Sequence, residues 1–442
     1  MIQLSFLLFA FLAVFILRSG TQLLLNGLNI SYLRRHGNTV PEAFQNFVDH
    51  EKLGKISVYT IDSDRFHMIA TLANQGFFLF VLLSGCLPWL VKIINPWGFG
   101  HVASGLIFFA VLSIFTNLLR IPFDLYDTFV IEDRYGFNTM TLKVWVLDLL
   151  KSIILSAILG GLLLCLLLAL VVYGGKTWWV WAWIWVGGFE LLMLWLFPKV
   201  IAPLFNKFEP IENKELEHHI RKLMEKVGLR AKGVFRMDAG KRSKHTNAYF
   251  TGIGRNKRIV LFDTLLASHA VAEVLAILAH EAGHWKKKHL MKQIILLEVF
   301  SLALFYGVAK FLDWPLMYQT FGFQESVPYV GLFLIGALLS PLSYFAQPLE
   351  SAMSRKFERE ADDFALDLMK TVEPMRNALK RLATDNLANL TPHPLYAWFY
   401  YSHPPLVERI KRLTLTPSLS PVRLCRNPIL MVAAGFSLRA TH

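Results

Sequence analysis

Hydrophobic residues are gathered into long blocks along this chain, and polar connections separate the blocks. Most blocks are roughly 18 to 25 residues long, which is the length with which a helix crosses about 30 Å of hydrocarbon. The first block has no basic segment before it and no small-residue cleavage site after it, so its pattern is not that of a signal peptide. The sequence therefore predicts seven transmembrane helices, with the approximate bounds Ile2–Leu17, Met68–Ile93, Val102–Leu119, Ile153–Tyr173, Trp178–Phe197, Ile294–Leu312 and Val327–Phe345.

The distribution of charge gives these helices an orientation. Apolar residues make up 54% of the chain and charged residues only 17%, whereas about a quarter of the residues of soluble proteins are charged. Nearly all Lys and Arg residues lie after the odd-numbered blocks, most densely between Lys199 and Lys292. The positive-inside rule then places these connections and the C-terminus in the cytoplasm, and the N-terminus outside. The net charge of +13 is thus an orientation signal, and no nucleic-acid partner is expected.

The segment from Lys199 to Lys292 has the composition of a folded cytoplasmic domain. Its patterns predict a helix at Leu216–Val227 and short strands at Gly233–Met237, Asn247–Gly252 and Arg258–Phe262. One helical pattern over Thr264–Lys288 is expected to continue into the sixth membrane block. After the seventh block, helices are predicted at Ala346–Met369, Met375–Leu390 and Leu406–Leu413.

The candidate chemistry begins with the string His280-Glu281-Ala282-Gly283-His284. Residues four apart on a helix project from the same face, about 6 Å from each other. His280 and His284 can therefore hold one metal ion, while Glu281 can reach a metal-bound water. Gly283 would let another element approach this helix closely. The spacing predicts a catalytic site that holds one Zn²⁺ per chain.

Two histidines leave a catalytic zinc ion one protein ligand short. Glu358 is the best candidate, because it lies on the helix predicted after the seventh membrane block. Asp362, one helical turn later, could accept the free ring N–H of a zinc-bound histidine. Glu360 and Asp363 point elsewhere on this helix and are the alternative ligands.

Other polar features carry no chemistry that their spacing can assign. The connection Phe129–Asn138 is dense in charged and aromatic residues, and His245, His269 and His289 are interpreted as structural or solvent-exposed. The three cysteines lack the spacing of a disulfide framework or a metal site. A transporter is a competing hypothesis, but it would distribute ionisable residues over several membrane helices. Here the His and Glu residues of the candidate metal site lie on only two helices.

Four strings resemble the signature blocks of the type I CAAX prenyl proteases, which are integral-membrane gluzincins. They are NAYFTG at 247–252, HEAGHW at 280–285, FEREAD at 357–362 and YSHPPLVER at 401–409. The resemblance runs from the first apolar block to Leu413 and leaves the tail outside. It implies that a zinc ion is held by His280, His284 and Glu358, and that Glu281 is the general base.

From the sequence pattern alone, His403 would be interpreted as a turn residue before Pro404-Pro405, and Arg409 as a surface cation. The resemblance assigns both of them other roles. It implies that His403 and Arg409 face the active site and stabilise the oxyanion formed at the scissile carbonyl. It also implies that an edge strand containing Asn247, Ala248 and Tyr249 holds the backbone of the substrate by adding it to the sheet.

The fold class expected is a mainly α, polytopic membrane protein. Its seven transmembrane helices would enclose a water-filled chamber, as the resemblance implies, and a gluzincin-type zinc protease domain with a small β-sheet would lie on the cytoplasmic side. The predicted divisions are a five-helix membrane domain at 1–199, a zinc metalloprotease domain that includes membrane helices six and seven at 200–413, and a disordered tail at 414–442.

The expected function is that of a zinc-dependent endopeptidase that cleaves near the C-terminus of CAAX-type, prenylated proteins. Its expected partners are the lipid bilayer and a peptide or protein substrate, with or without a prenyl group. A quality-control metalloprotease of membrane proteins with broader substrates is the alternative. The compact chain and the absence of an ER-retrieval C-terminus favour a bacterial inner membrane. In a eukaryote, the endoplasmic reticulum membrane would be expected.

Overall fold

The computed structural model describes residues 2–252 and 256–415. The predicted tail therefore lies outside the described residues, except for Thr414 and Leu415, which end the last helix. The N-terminal part consists of helices with two π-helical turns, Asp127–Glu132 and Phe197–Ile201. Its α-helices are α1 (Phe6–His36), α2 (His50–Leu83), α3 (Cys86–Ile94), α4 (His101–Tyr126), α5 (Asp133–Tyr135), α6 (Leu142–Tyr173), α7 (Trp178–Leu196) and α8 (Ala202–Phe205).

The C-terminal part combines helices with one small sheet. Its strands are β1 (Phe208–Pro210), β2 (Arg230–Met237), β3 (Ala248–Thr251) and β4 (Asn256–Phe262). Its helices are α9 (Lys214–Val227), α10 (Asp263–Ser268), α11 (Val271–Lys286), α12 (His289–Phe311), α13 (Pro315–Thr320), α14 (Pro328–Ser343), α15 (Gln347–Met369), α16 (Glu373–Asp385), α17 (Pro394–Tyr400) and α18 (Leu406–Leu415).

Seven helical segments in the described part of the chain are long and apolar enough to cross a membrane, which confirms the predicted number. They are longer than the apolar blocks, because polar turns extend them. Helix α2, for example, begins at His50 rather than at Met68, and Asp49 accepts the Lys52 backbone N–H to cap it. The second block is not one helix, since Gly85 adopts a left-handed conformation with φ 84° and separates α2 from α3. The water-filled chamber stays a prediction.

The membrane helices pack through small and aromatic residues and leave apolar side chains on the outside. At Gly105 on α4, a Cβ atom would lie 2.8 Å from Leu168 of α6 and 2.9 Å from Tyr329 of α14. Glycine therefore permits the close approach of three helices. On α6 only Leu168 is buried, while Ile154 and Ile158 are 59% and 62% exposed, as expected for side chains in contact with lipid.

The sheet has the strand order β1-β2-β4-β3. Strands β2 and β4 are parallel, and β1 and β3 pair antiparallel with their neighbours. The three predicted strands are present, and the short edge strand β1 was not predicted. Strand β3 is the other edge of the sheet, so one of its sides pairs with no strand of the described residues.

The prediction of one continuous helix from Thr264 into the sixth membrane block is wrong. The chain forms α10, α11 and α12, with two interruptions. At the first, Ala270 is extended and its N–H donates to Glu273, which starts α11. At the second, Lys288 adopts the left-handed conformation with φ 56° and starts α12 in a new direction. Helix α16 also ends at Asp385, earlier than the predicted Leu390.

Two apolar cores hold the C-terminal part in place. One packs α9, the sheet, α11 and α15 together and includes Ile220, Ile259, Leu278 and Ala365. The other joins the N-terminal and C-terminal parts, because it contains Ile56 of α2 and Phe137 together with Leu379 of α16 and Ile410 of α18. The C-terminal part is therefore packed directly against the membrane part.

Candidate active site

The site is formed where α11 and α15 lie side by side. A Cβ atom at Gly283 of α11 would lie 3.0 Å from the Cα of Ala361 and 3.1 Å from its carbonyl oxygen. The absence of a side chain at Gly283 thus lets the two helix backbones touch. This close approach brings His280 and His284 of α11 up to Glu358 of α15.

The three predicted metal ligands converge on one point. The Nε2 atoms of His280 and His284 are 3.1 Å apart, Glu358 Oε2 is 3.4 Å from His280 Nε2, and Glu358 Oε1 is 3.2 Å from His284 Nε2. A tetrahedral ion about 2.0–2.1 Å from each ligand would separate the ligand atoms by about 3.3 Å. Glu358 Oε2 is also buried without a hydrogen bond to any described residue. The residues present therefore fit a tetrahedral metal ion.

The electrostatics of the site also favour a cation. Burial lowers the pKa of His280, but the neighbouring carboxylates of Asp362 and Glu358 more than offset this and raise the pKa to about 9. The same carboxylates that would hold a proton on the imidazole would favour a metal ion in its place. Burial raises the pKa of Glu281, against the opposing charges of His280 and His284.

Asp362 and Arg409 form a buried ion pair behind His280. Asp362 Oδ1 lies 2.8 Å from His280 Nδ1, which is the position predicted for a partner of a zinc-bound histidine. Arg409 of α18 donates to both Asp362 oxygens, at 3.0 Å from Nε and 2.6 Å from Nη2. Its remaining Nη1 lies 3.6 Å from Glu358 Oε2. Arg409 therefore holds the carboxylate that orients His280, and Nη1 alone faces the ligand cluster.

His403 lies at the open side of the cluster. Its Nε2 is 3.3 Å from Glu358 Oε1, and its side chain is 62% exposed, whereas that of Glu358 is 5% exposed. Ser402 Oγ lies 3.0 Å from His403 Nδ1. An imidazole in this position can face both the ligands and an incoming substrate.

The two alternative ligands contact other residues. Asp363 accepts two bonds from Arg412 at 2.7 Å. Glu360 Oε2 lies 3.1 Å from Nε2 of His289, whose Nδ1 lies 3.0 Å from His284 Nδ1. Sequence reasoning interpreted His289 as structural or solvent-exposed, and the structure shows it buried, at 2% exposed.

The predicted substrate strand, β3, lies at the edge of the sheet beside α11. Ala248 is buried in the core between the sheet and the helices, and Tyr249 packs on the opposite face, where its hydroxyl contacts the Met237 sulfur at 3.7 Å. Asn247, which precedes the strand, is exposed. The outer side of β3 is thus available for an extended peptide.

The connection Phe129–Asn138, which spacing could not interpret, contacts the residues that lead into β3. Lys244 N donates to Phe137 O at 3.0 Å, and the His245 ring stacks on Phe137 with centroids 4.1 Å apart. His245 Nε2 lies 3.2 Å from Glu132 Oε2. Burial lowers the pKa of His245, but hydrogen bonds with Glu132 and Asn386 outweigh it, so that the pKa is raised. The membrane part therefore holds the residues that lead into β3.

Comparison with known proteins assigns both parts of the chain. Residues 29–207 match the model of the CAAX prenyl protease N-terminal domain with five membrane helices, and residues 210–416 match that of peptidase family M48. The CAAX prenyl protease 1 homolog of Arabidopsis thaliana is 33% identical, covering 85% of this chain and 90% of that protein. CAAX prenyl protease 1 of Saccharomyces cerevisiae is 32% identical, covering 86% of this chain and 90% of that protein.

A solved structure gives the same result for the fold. The crystal structure of S. mikatae Ste24p superposes with a TM-score of 0.86 at 30% identity, covering 91% of this chain and 97% of that one. Membrane and protease parts are thus matched together and nearly over their full length. The chain therefore belongs to peptidase family M48 and is a multi-pass membrane metalloprotease of the CAAX prenyl protease type.

Proposed function

We propose that this protein is a zinc endopeptidase that holds one Zn²⁺ per chain on His280, His284 and Glu358 and cleaves CAAX-type proteins near their C-terminus. The observation that carries the metal assignment is the set of three ligand separations, 3.1, 3.4 and 3.2 Å. Two imidazoles and a carboxylate with an open fourth position are typical of catalytic zinc. The substrate assignment rests on the relatives, which carry the name CAAX prenyl protease 1.

Each residue of the site has its own role in peptide-bond hydrolysis. A zinc ion bound here would supply Lewis acidity toward water and the scissile carbonyl. Glu281 takes the proton of the attacking water and later delivers it to the leaving amine. His403 and the Nη1 of Arg409, which faces the ligand cluster, stabilise the negative charge that develops on the carbonyl oxygen. The edge of β3, from Asn247 to Tyr249, aligns the substrate backbone.

The orientation follows from the charge distribution. We place the N-terminus outside and the C-terminus in the cytoplasm, because Lys and Arg residues are concentrated in the odd-numbered connections. In this orientation the metal site, which is built by α11 and α15, faces the cytoplasmic side. Prenylated substrates anchored to the cytoplasmic leaflet would then reach it.

The decisive experiment compares wild type with Glu281→Gln. The variant should retain about one zinc ion per chain, since Glu281 is not a ligand, while cleavage of a farnesylated CAAX peptide falls by about 10²–10⁴-fold. The exposed Glu350 on α15 offers a matched control, and Glu350→Gln should cleave normally. Wild-type activity of Glu281→Gln would reject the general-base assignment.

Two further measurements separate the parts of the proposal. Glu358→Ala should lose bound zinc in metal analysis, and full retention would move the third ligand to Glu360 or Asp363. Wild-type enzyme should cleave the farnesylated peptide faster than its unprenylated form. Equal rates on both would favour the broader quality-control function and would leave the metalloprotease assignment intact.

A further inference from the structure

His289 is a buried imidazole that none of the proposed chemistry uses. It is 2% exposed, at the first position of α12. Its ring lies flat on Phe357, with centroids 4.2 Å apart and an interplanar angle of 10°. Both of its nitrogens have partners: Nδ1 lies 3.0 Å from His284 Nδ1, and Nε2 lies 3.1 Å from Glu360 Oε2.

The protons in this chain of contacts can be arranged in one way when His284 binds a metal. A neutral imidazole carries one N–H. If His284 Nε2 is a ligand, the hydrogen must be on its Nδ1, which then donates to Nδ1 of His289. His289 consequently carries its own hydrogen on Nε2, which donates to the acceptor-only carboxylate of Glu360.

The backbone is shaped to allow this contact. In a continuous helix, residues five apart are rotated by about 140° around the axis, so His289 would face away from His284. Lys288 instead adopts the left-handed conformation, with φ 56° and ψ 38°. For a non-glycine residue this costs about 1–2 kcal/mol, and strain of this kind is concentrated at functional sites. The turn returns the His289 ring to the ligand.

We propose that His289 is a positioning residue for the metal ligand His284, and that it transmits the orienting effect of Glu360. The two ligand histidines would then be supported by the same helix, α15. Asp362 contacts His280 Nδ1 directly at 2.8 Å, whereas Glu360 acts on His284 through the His289 imidazole. Lys292 Nζ lies 4.0 Å from the same Glu360 oxygen.

The inference rests on the proposed ligation of zinc by His284, and it is tested by metal binding. His289→Phe preserves a flat ring against Phe357 but removes both nitrogens. We expect it to weaken zinc binding by about 10–100-fold in competition with a chelator. His289→Gln offers an acceptor to His284 Nδ1–H and should recover part of the affinity. If His289 only fills space, the order of zinc affinities would be reversed, and His289→Phe would bind zinc more tightly than His289→Gln.

One control and two further tests accompany this experiment. His269→Phe replaces another buried histidine, whose Nδ1 contacts Ser268 and not a ligand, and it should keep wild-type zinc affinity. Glu360→Ala, at a side chain that is 31% exposed, tests the relay without disturbing the core and should weaken zinc binding less than His289→Phe. Substitution with Co²⁺ should give an altered absorption spectrum in His289→Phe.

The results distinguish this inference from the proposed function. If His284→Ala binds zinc as tightly as wild type, the ligand assignment fails. If His284→Ala loses zinc while His289→Phe and Glu360→Ala retain wild-type affinity, the positioning role fails and the ligand assignment stands. If His289→Phe does not fold, the zinc affinity of Glu360→Ala tests the positioning role by itself. A zinc affinity equal to that of wild type would then overturn the proposal.

Discussion

Replacing Gly283 with alanine tests whether the contact between α11 and α15 determines the metal site. The new Cβ would lie 3.0 Å from Ala361 Cα, 3.1 Å from Ala361 O and 3.2 Å from Phe364 Cβ. Nonbonded carbon atoms prefer about 3.5–4.0 Å, so the two helices would have to separate by roughly half an ångström. Since two of the three neighbours are backbone atoms, no change of rotamer can remove the clash.

The size of the effect can be worked out from two opposing contributions. In an open helix, alanine is more favourable than glycine by about 1 kcal/mol. Overpacking of a filled contact costs about 1–3 kcal/mol. We therefore expect the free energy of unfolding of Gly283→Ala to fall by about 1 kcal/mol net.

Metal binding should be affected more than stability. Ala361 lies between Glu358 and Asp362 on α15, so a displacement at Ala361 moves the third ligand and the partner of His280 together. Metal sites tolerate deviations of only about 0.2 Å in ligand distance. A loss of zinc affinity of about tenfold or more is expected, comparable with the loss of a supporting contact.

The assay is zinc affinity by chelator competition, combined with denaturant unfolding in the same detergent. Gly307→Ala on α12 is the matched control, because a Cβ there would meet no atom within 4 Å. It should keep wild-type zinc affinity and gain stability. If Gly283→Ala behaves like Gly307→Ala in both measurements, the close contact does not position the site.

Three further results are expected. Arg409→Met should lower the free energy of unfolding by about 3–5 kcal/mol, because it leaves the Asp362 carboxylate, 2% exposed, without its cation; an unchanged value would mean that the pair contributes nothing. The raised pKa of His245 means that its contact with Glu132 stabilises the fold below the unfolded pKa of about 6.5 and is lost as the pH rises through the folded pKa. The difference in unfolding free energy between wild type and Glu132→Gln should thus shrink as the pH rises above about 6.5, and a constant difference would contradict this. A chelator should lower the unfolding temperature of wild type but not that of Glu358→Ala, and equal shifts would point to a metal bound elsewhere.

The fold could be predicted as far as it depends on long apolar runs. Seven spanning helices follow from hydropathy, because burial in lipid requires an uninterrupted apolar segment. The true helix ends could not be found in this way. Helix α2 starts at His50, in a stretch with Lys52, Asp62 and Asp64 that hydropathy assigns to a connection. A helix can extend beyond the membrane into water, whereas the apolar pattern of the sequence ends where the hydrocarbon region ends.

The convergence of the candidate metal ligands could be predicted because local geometry determines part of the site. Two histidines four apart on a helix share a face whatever the rest of the chain does. Glu358 and Asp362 share a face for the same reason. The spacing within each helix was therefore enough to place its two site residues on one face. The two-bond contact of Arg409 with Asp362 joins α18 to α15, and nothing within either helix indicates that pairing.

The turn that brings His289 beside His284 was missed because one continuous helix was predicted between Thr264 and the sixth membrane block. Neither glycine nor proline marks the interruption, and a lysine adopts the left-handed conformation there. Periodicity cannot detect such a turn, since the residues on both sides remain helical. The same assumption that hid the turn rotated His289 away from the site.

The positions of three carboxylates on α15 explain why one interhelical contact matters so much. Glu358 and Asp362 lie on the face toward α11, whereas Glu360, about 200° from Glu358 around the helix axis, reaches His289 at the start of α12. One helix would therefore supply the proposed ligand Glu358, the partner of His280 and the anchor of the residue behind His284. Since α11 carries both histidines, the depth at which α15 sits against Gly283 sets all of these distances at once. Damage at that contact should consequently reduce metal affinity through every ligand, while a change at His289 should act through His284 alone.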